Sequence, residues 1–164
     1  MVMRTLTHSL LALAFASGAN ATFAQSVPKS GSLMLHTAYK GSGDVHQVSD
    51  SRLYWFGTWL GISYNAAGNG LFHANPVTCG GYLEHVNGAG PSKGVCTFSD
   101  GADKVHGEWT GNTVPNAPYE VVGKFTGGTG KFAGITGGWS FKCVPVNFNA
   151  GQWTCDQKVE YRLP

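Results

Sequence analysis

Apolar and polar residues alternate with a period of two along most of this chain. The longest such run is residues 52–65, RLYWFGTWLGISYN, where Trp55, Gly57, Trp59 and Gly61 alternate with Tyr54, Phe56, Thr58, Leu60 and Ile62. That period predicts strands. Residues 32–39 make a first strand, with Leu33, Leu35, Thr37 and Tyr39 on one face. Residues 40–44 read as a glycine-rich loop, and 45–50 as either loop or short strand. Residues 71–75 start a further strand that Pro76 limits. Residues 81–87 and 94–99 form a hairpin around 88–93, and 104–110 and 152–163 are strands.

The stretch 119–143, YEVVGKFTGGTGKFAGITGGWSFKC, sets the pattern. It reads as strand, glycine-rich reversal, short strand, second reversal and strand. Glycine supplies the positive φ that tight reversals need, and Gly134 inside the middle run marks a bulge or bend. The segment Gly128–Lys131 is not a phosphate loop. A phosphate loop needs a glycine where Phe125 stands and a Ser or Thr where Phe132 stands, and it must open a helix. The glycines that follow oppose a helix. The whole chain thus predicts an all-β fold of about eight strands. Closure into an antiparallel barrel would remove the open edges of weakly charged strands. Large and small residues alternating on one face suit a small barrel's taper, and the same glycines would let a ligand approach the wall.

The start of the chain differs. Arg4, the apolar run 10–16 and small residues before Ala21 or Ala24 read as a cleavable signal peptide, 1–24, followed by one domain, 25–164. The apolar run is too short to span a bilayer. This places the protein in the periplasm or the medium. Losing Arg4 takes the formal charge from +2 to about +1, so nothing recruits nucleic acid or anionic lipid.

Four cysteines, Cys79, Cys96, Cys143 and Cys155, lie in the exported part. An even count in an oxidising compartment reads as two disulfides. Of the three pairings, Cys79 with Cys96 and Cys143 with Cys155 is favoured, because each pair brackets a reversal between adjacent strands. The spacings are too long for the usual zinc pairs, so no metal is assigned, and no cofactor motif occurs.

Ionisable residues within strands are few. His36, Glu84, His106 and Glu108 are the candidates for proton transfer. His106 and Glu108 share a face. Glu84 and His85 are neighbours and point to opposite faces. Tyr82 and Glu84 share one face, Leu83 and His85 the other. Glu84 would be a buried carboxyl with a raised pKa if the Tyr82 face is interior, and a solvated one if it is not. Tyr54, Trp55, Phe56, Trp59, Tyr82, Trp109 and Trp139 are candidates for core or for the lining of a ligand pocket.

The segments GGTGKFAGITG at 127–137 and GVCTFSDGADKVHGEWTG at 94–111 resemble the allene oxide cyclase and dirigent-like β-barrels, closest to their small secreted bacterial members. That resemblance implies an eight-stranded antiparallel barrel, often assembled as a trimer. It implies a cavity for a small apolar or phenolic molecule, with cofactor-independent cyclase or isomerase activity, or dirigent-like steering of phenoxy radicals. The cyclases' first-strand glutamate has no counterpart here, where His36 is that strand's one ionisable residue. Whether the chain catalyses is therefore open at this stage. The alternatives are a lipocalin-like binding protein and a structural envelope barrel.

Overall fold

A computed structural model describes residues 27–114 and 117–164. The expected leader, 1–24, lies outside the described residues. The structure is a closed antiparallel barrel of eight strands in chain order: β1 (Ser30–Ser49), β2 (Arg52–Asn65), β3 (Asn75–Val86), β4 (Gly90–Asp100), β5 (Asp103–Thr113), β6 (Tyr119–Gly128), β7 (Thr136–Asn147) and β8 (Gln152–Arg162). Closure is made by β1 and β8, in register from Ser30 opposite Arg162 to Lys40 opposite Gln152. Every strand has two partners, so the exposed edges that glycine-rich strands would present are gone. Among the described residues, no helix is long and apolar enough to cross a membrane.

Residues 40–50 correct the sequence reading. They continue β1 in pairing with β2, from Lys40 opposite Leu60 to Gln47 opposite Leu53. Gly41 and Gly43 resemble loop glycines, but they occupy inward strand positions. The Trp55 ring covers Gly43 and its cross-strand partner Gly57: Cβ atoms added there would sit 2.6 and 2.4 Å from it. The same device recurs around the wall. Trp109 covers Gly81 and Gly94, and Trp139 covers Gly107 and Gly123. The tryptophans fill the space that the glycines vacate. Most of the lumen is therefore packed, as in other small barrels.

One end of the barrel is plugged. Residues 71–74 were expected to begin a strand, but they form a turn that folds back into the lumen. Phe72 and Ala74 take left-handed φ values of 58° and 55°. Ser63 Oγ donates to the Phe72 carbonyl at 2.7 Å, and Asn65 Nδ2 to the Leu71 carbonyl at 3.1 Å. These bonds hold Phe72 stacked on Phe132, ring centroids 5.3 Å apart. Phe132 belongs to a single 3-10 turn, Gly130–Phe132, where a short strand was expected. Phe98, Trp139 and Phe125 complete the aromatic plug.

The glycine-rich hairpin carrying Phe132 is clasped from outside. The Lys131 amide donates to Asp103 Oδ2 at 3.3 Å, and Lys131 Nζ lies 3.2 Å from Asp100 Oδ1. Both disulfides form with the favoured pairing, Cys79–Cys96 and Cys143–Cys155. Each joins residues directly opposite on adjacent strands. All four cysteines point inward and are buried.

Candidate functional site

The alternation along the strands assigns every candidate side chain to a face. In β1, Leu35, Thr37 and Tyr39 are buried, so His36 faces out. Its Nδ1 lies 2.6 Å from Asp156 on the outer surface. In β3, Val77, Cys79 and His85 are buried, so Tyr82 and Glu84 face out. Glu84 accepts hydrogen bonds from Arg52 Nε at 3.0 Å and from the Tyr54 hydroxyl at 2.9 Å. Those two bonds hold its carboxyl below the ordinary carboxylate range. Of the two states the sequence left open for Glu84, this is the solvated one.

In β5, Val105, Gly107 and Trp109 point inward, which turns His106 and Glu108 outward. They share that face as expected, yet each is engaged by a different cross-strand partner. His106 Nδ1 lies 3.0 Å from Thr97 Oγ1, and Lys124 Nζ lies 3.6 Å from Glu108 Oε2. None of His36, Glu84, His106 and Glu108 reaches the lumen. The aromatic candidates divide. Trp55, Trp59, Trp109 and Trp139 are interior, while Tyr54, Phe56 and Tyr82 lie on the outer wall.

The end opposite the plug is open. A cavity of about 490 Å³ opens there between the β1–β2 walls and the turn joining β7 to β8. Leu53, Trp55, Trp59, Leu83, Phe148 and Trp153 supply most of its apolar lining. Trp55 and Trp59 lie with ring centroids 4.5 Å apart. Trp59 Nε1 is buried and has no acceptor among the described residues. It lies beside Gly41, where an added Cβ would approach it to 3.1 Å. Deeper in lies a separate, narrow apolar space of about 30 Å³, lined by Leu83, Thr113, Tyr39, Tyr119 and cysteines of both disulfides.

One imidazole lines this mouth. His85 is 5 % exposed, and its Nε2 lies 2.8 Å from Thr113 Oγ1. The Thr113 hydroxyl in turn donates to the Gly90 carbonyl, 3.5 Å away. That direction makes Nε2 the donor to Thr113 and leaves Nδ1 as the lone-pair nitrogen, which makes no hydrogen bond among the described residues. Burial lowers the pKa of His85 and so keeps the ring neutral at pH 7. Burial also pushes the Tyr119 phenol up to about 12 and raises that of Tyr39. Tyr39 Oη and Thr37 Oγ1 each accept a 3.0 Å hydrogen bond from Gln157 Nε2. The mouth therefore presents apolar rings and one uncharged base, with the Lys40 ammonium at its rim held on the Ala150 carbonyl.

The sequence reading missed His85 as a site residue. The signal for it was its parity with Cys79, three strand positions of one face away. A cysteine in an interior disulfide carries residues 81, 83 and 85 inward with it. Among the described residues, no cluster of three or more His, Cys, Asp or Glu side chains could hold a metal ion.

No protein-family model matches this chain, and no curated protein matches it. Solved structures similar to it include two dirigent proteins. The pterocarpan synthase dirigent protein GePTS1 is 12% identical, over 92% of this chain and 100% of that one, with a TM-score of 0.44. The pterocarpan synthase dirigent protein PsPTS1 is 15% identical, over 83% of this chain and 96% of that one, with a TM-score of 0.42. The likeness is one of barrel fold.

Proposed function

We propose that this barrel binds a small, flat, mainly apolar molecule at its open mouth, with His85 as hydrogen-bond and proton partner. One observation carries the reading: a cavity of about 490 Å³ lined by indoles holds one buried imidazole, kept neutral, while the other ionisable residue of its lining, the exposed Lys40, gives its ammonium to the Ala150 carbonyl at the rim. That size falls within the roughly 300–1,000 Å³ of small-molecule sites, which are mostly apolar with a few placed polar groups. A hydroxyl on the ligand, such as a phenol's, would donate to His85 Nδ1.

If the bound molecule reacts, the cavity's share is to hold one conformer while His85 accepts a proton. Cyclase-like isomerisation and dirigent-like steering are both chemistry of this kind, and neither needs a cofactor. Lipocalin-like carriage without reaction uses the same cavity and differs in not needing His85.

The finer expectations belong to the same proposal. Two disulfides suit an oxidising compartment, so the chain is exported, loses residues 1–24 and works in the periplasm or the medium as a single domain. A homo-oligomer, trimeric by the resemblance, would leave the mouths open.

The test is native mass spectrometry of the exported protein for a co-purified small molecule, followed by fluorescence titration with 2-naphthol. Quenching of tryptophan emission is expected. Leu83→Trp, which fills the neck, should abolish it. His85→Phe should weaken 2-naphthol about tenfold while leaving naphthalene unaffected. Equal quenching of the wild type and Leu83→Trp would exclude the mouth as the site.

A further inference from the structure

A small recess adjoins the mouth. It measures about 20 Å³ and shares five lining residues with the mouth: Trp59, Leu83, His85, Phe148 and Trp153. Thr113 and Tyr119 line the recess but not the mouth. About 10–15 Å³ is enough to hold one water, so the recess takes one oxygen atom and little more. His85 lines both spaces and so stands at their junction.

Tyr119 brings a phenol to this recess that the fold does not spend. It opens β6 on the same face as Val121, which is buried. A charge on Tyr119 would oppose ionisation of the interior Tyr39 phenol, which places the Tyr119 hydroxyl inside the barrel. Burial alone raises the Tyr119 pKa, with no hydrogen-bond partner contributing. The phenol therefore keeps its proton at neutral pH and has it free to donate. An uncharged base and an uncharged acid thus bound one oxygen-sized space within an apolar lumen.

A phenol is an enol held in place by aromaticity. A site that takes a phenol's oxygen between His85 and Tyr119 also takes the enol of a ketone. Resting on the mouth as the ligand site, we propose that Tyr119 is a catalytic hydrogen-bond donor and that the substrate is a flat, apolar ketone with an acidic C–H beside its carbonyl. The ring system lies against the indoles and the carbonyl oxygen enters the recess. His85 Nδ1 takes the proton from the carbon beside the carbonyl. The C–H electron pair becomes the C=C bond, and the C=O π pair moves onto oxygen. Tyr119 keeps its proton and donates a hydrogen bond to that oxygen, where the charge develops. The imidazolium returns its proton to the same carbon, or to one further along a conjugated system, which gives an isomer. No electron is gained or lost, and no co-reactant is consumed.

The probe is 2-tetralone, a ketone on the carbon skeleton of 2-naphthol. Exchange of the hydrogens beside its carbonyl is followed by proton NMR in deuterated buffer with the exported protein. The wild type should exceed buffer alone by at least about tenfold. Tyr119→Phe should lower kcat at least about tenfold and change KM less than about threefold, because the donor acts on developing charge. His85→Gln should abolish the saturable rate. Tyr119→Phe should also keep the wild-type near-ultraviolet circular dichroism, since the fold does not use that hydroxyl. A misfolded Tyr119→Phe would assign the hydroxyl to the fold and overturn the proposal. So would exchange in Tyr119→Phe at the wild-type rate. Quenching by 2-naphthol with exchange no faster than in buffer overturns enolisation and leaves the mouth as a binding site. Loss of both signals in the wild type removes the mouth as well.

Discussion

The Trp139 indole lies directly on the backbone of Gly123, so close that a Cβ at that position would be 2.4 Å from ring atoms Cε2 and Cζ2. Gly123 has an ordinary strand φ, so the constraint is space, not backbone conformation. A rigid ring wedged between Phe98 and Phe125 cannot swing aside. Gly123→Ala should therefore destabilise by about 1–3 kcal/mol, the usual cost of overpacking. Urea unfolding followed by tryptophan fluorescence would measure it. Adding Trp139→Leu should make the alanine at 123 nearly neutral relative to the single Trp139→Leu variant. An unchanged unfolding midpoint in Gly123→Ala would mean that the ring does not occupy this space.

The disulfides bridge 17 and 12 residues of sequence. Loops of that size predict that each bridge stabilises by about 2–4 kcal/mol, chiefly by restricting the unfolded chain. Cys143→Ala with Cys155→Ala should lower stability by about that amount. Because all four sulfurs face the lumen, reductant alone should not reach them in the folded state. Alkylation after dithiothreitol treatment, read by mass, should add nothing in buffer and four adducts in urea.

The strand period and the reversals made an all-β barrel legible in the sequence, and cysteines that bracket single reversals made the pairing legible too. What could not be read was which face of β2 turns inward. Tyr54, Phe56, Leu60 and Ile62 are as apolar as Trp55 and Trp59, and hydropathy does not separate the two sets. Glycine separates them. Gly57 and Gly61 sit among the tryptophans because rings from neighbouring positions lie on them. The same logic was hidden at Gly41 and Gly43, which look like loop residues until Trp55 and Trp59 are placed over them. Phe72 was misread for a different reason. Its φ of 58° is one that bulky residues rarely adopt, and it is held by Ser63 and Asn65 side chains that sequence spacing does not connect to it.

Gly130 is a position in the glycine-rich hairpin where substitution should be poorly tolerated. Its φ is 53°, and an added Cβ would be 1.7 Å from Asp103 Oδ1. Gly130→Ala thus combines backbone strain of about 1–2 kcal/mol with a clash against the carboxylate that receives the Lys131 amide. Thermal denaturation should show a larger loss than for Gly101→Ala, where φ is also positive but the surroundings are open. Removing the carboxylate with Asp103→Gly should relieve the clash and leave the strain. A Gly130→Ala midpoint equal to that of Gly101→Ala would mean the clasp closes differently in solution.

Burial lowers the pKa of His85, and this fixes the sign of its effect on stability. The unfolded chain titrates this imidazole near the ordinary value of about 6.5. The folded protein binds the proton less well. Between the folded and unfolded pKa values, the unfolded state holds more protons, so stability rises with pH there. The stabilisation from a neutral His85 is complete above about pH 6.5. It is lost as pH falls through the folded value, by at most about 1.4 kcal/mol per pH unit. Comparing urea midpoints at pH 7.5 and 5.0 for the wild type and His85→Gln isolates the contribution. The wild type should lose more on acidification than the variant. A difference of opposite sign would mean that His85 is charged in the folded protein, and a charged imidazole could not serve as the proposed base.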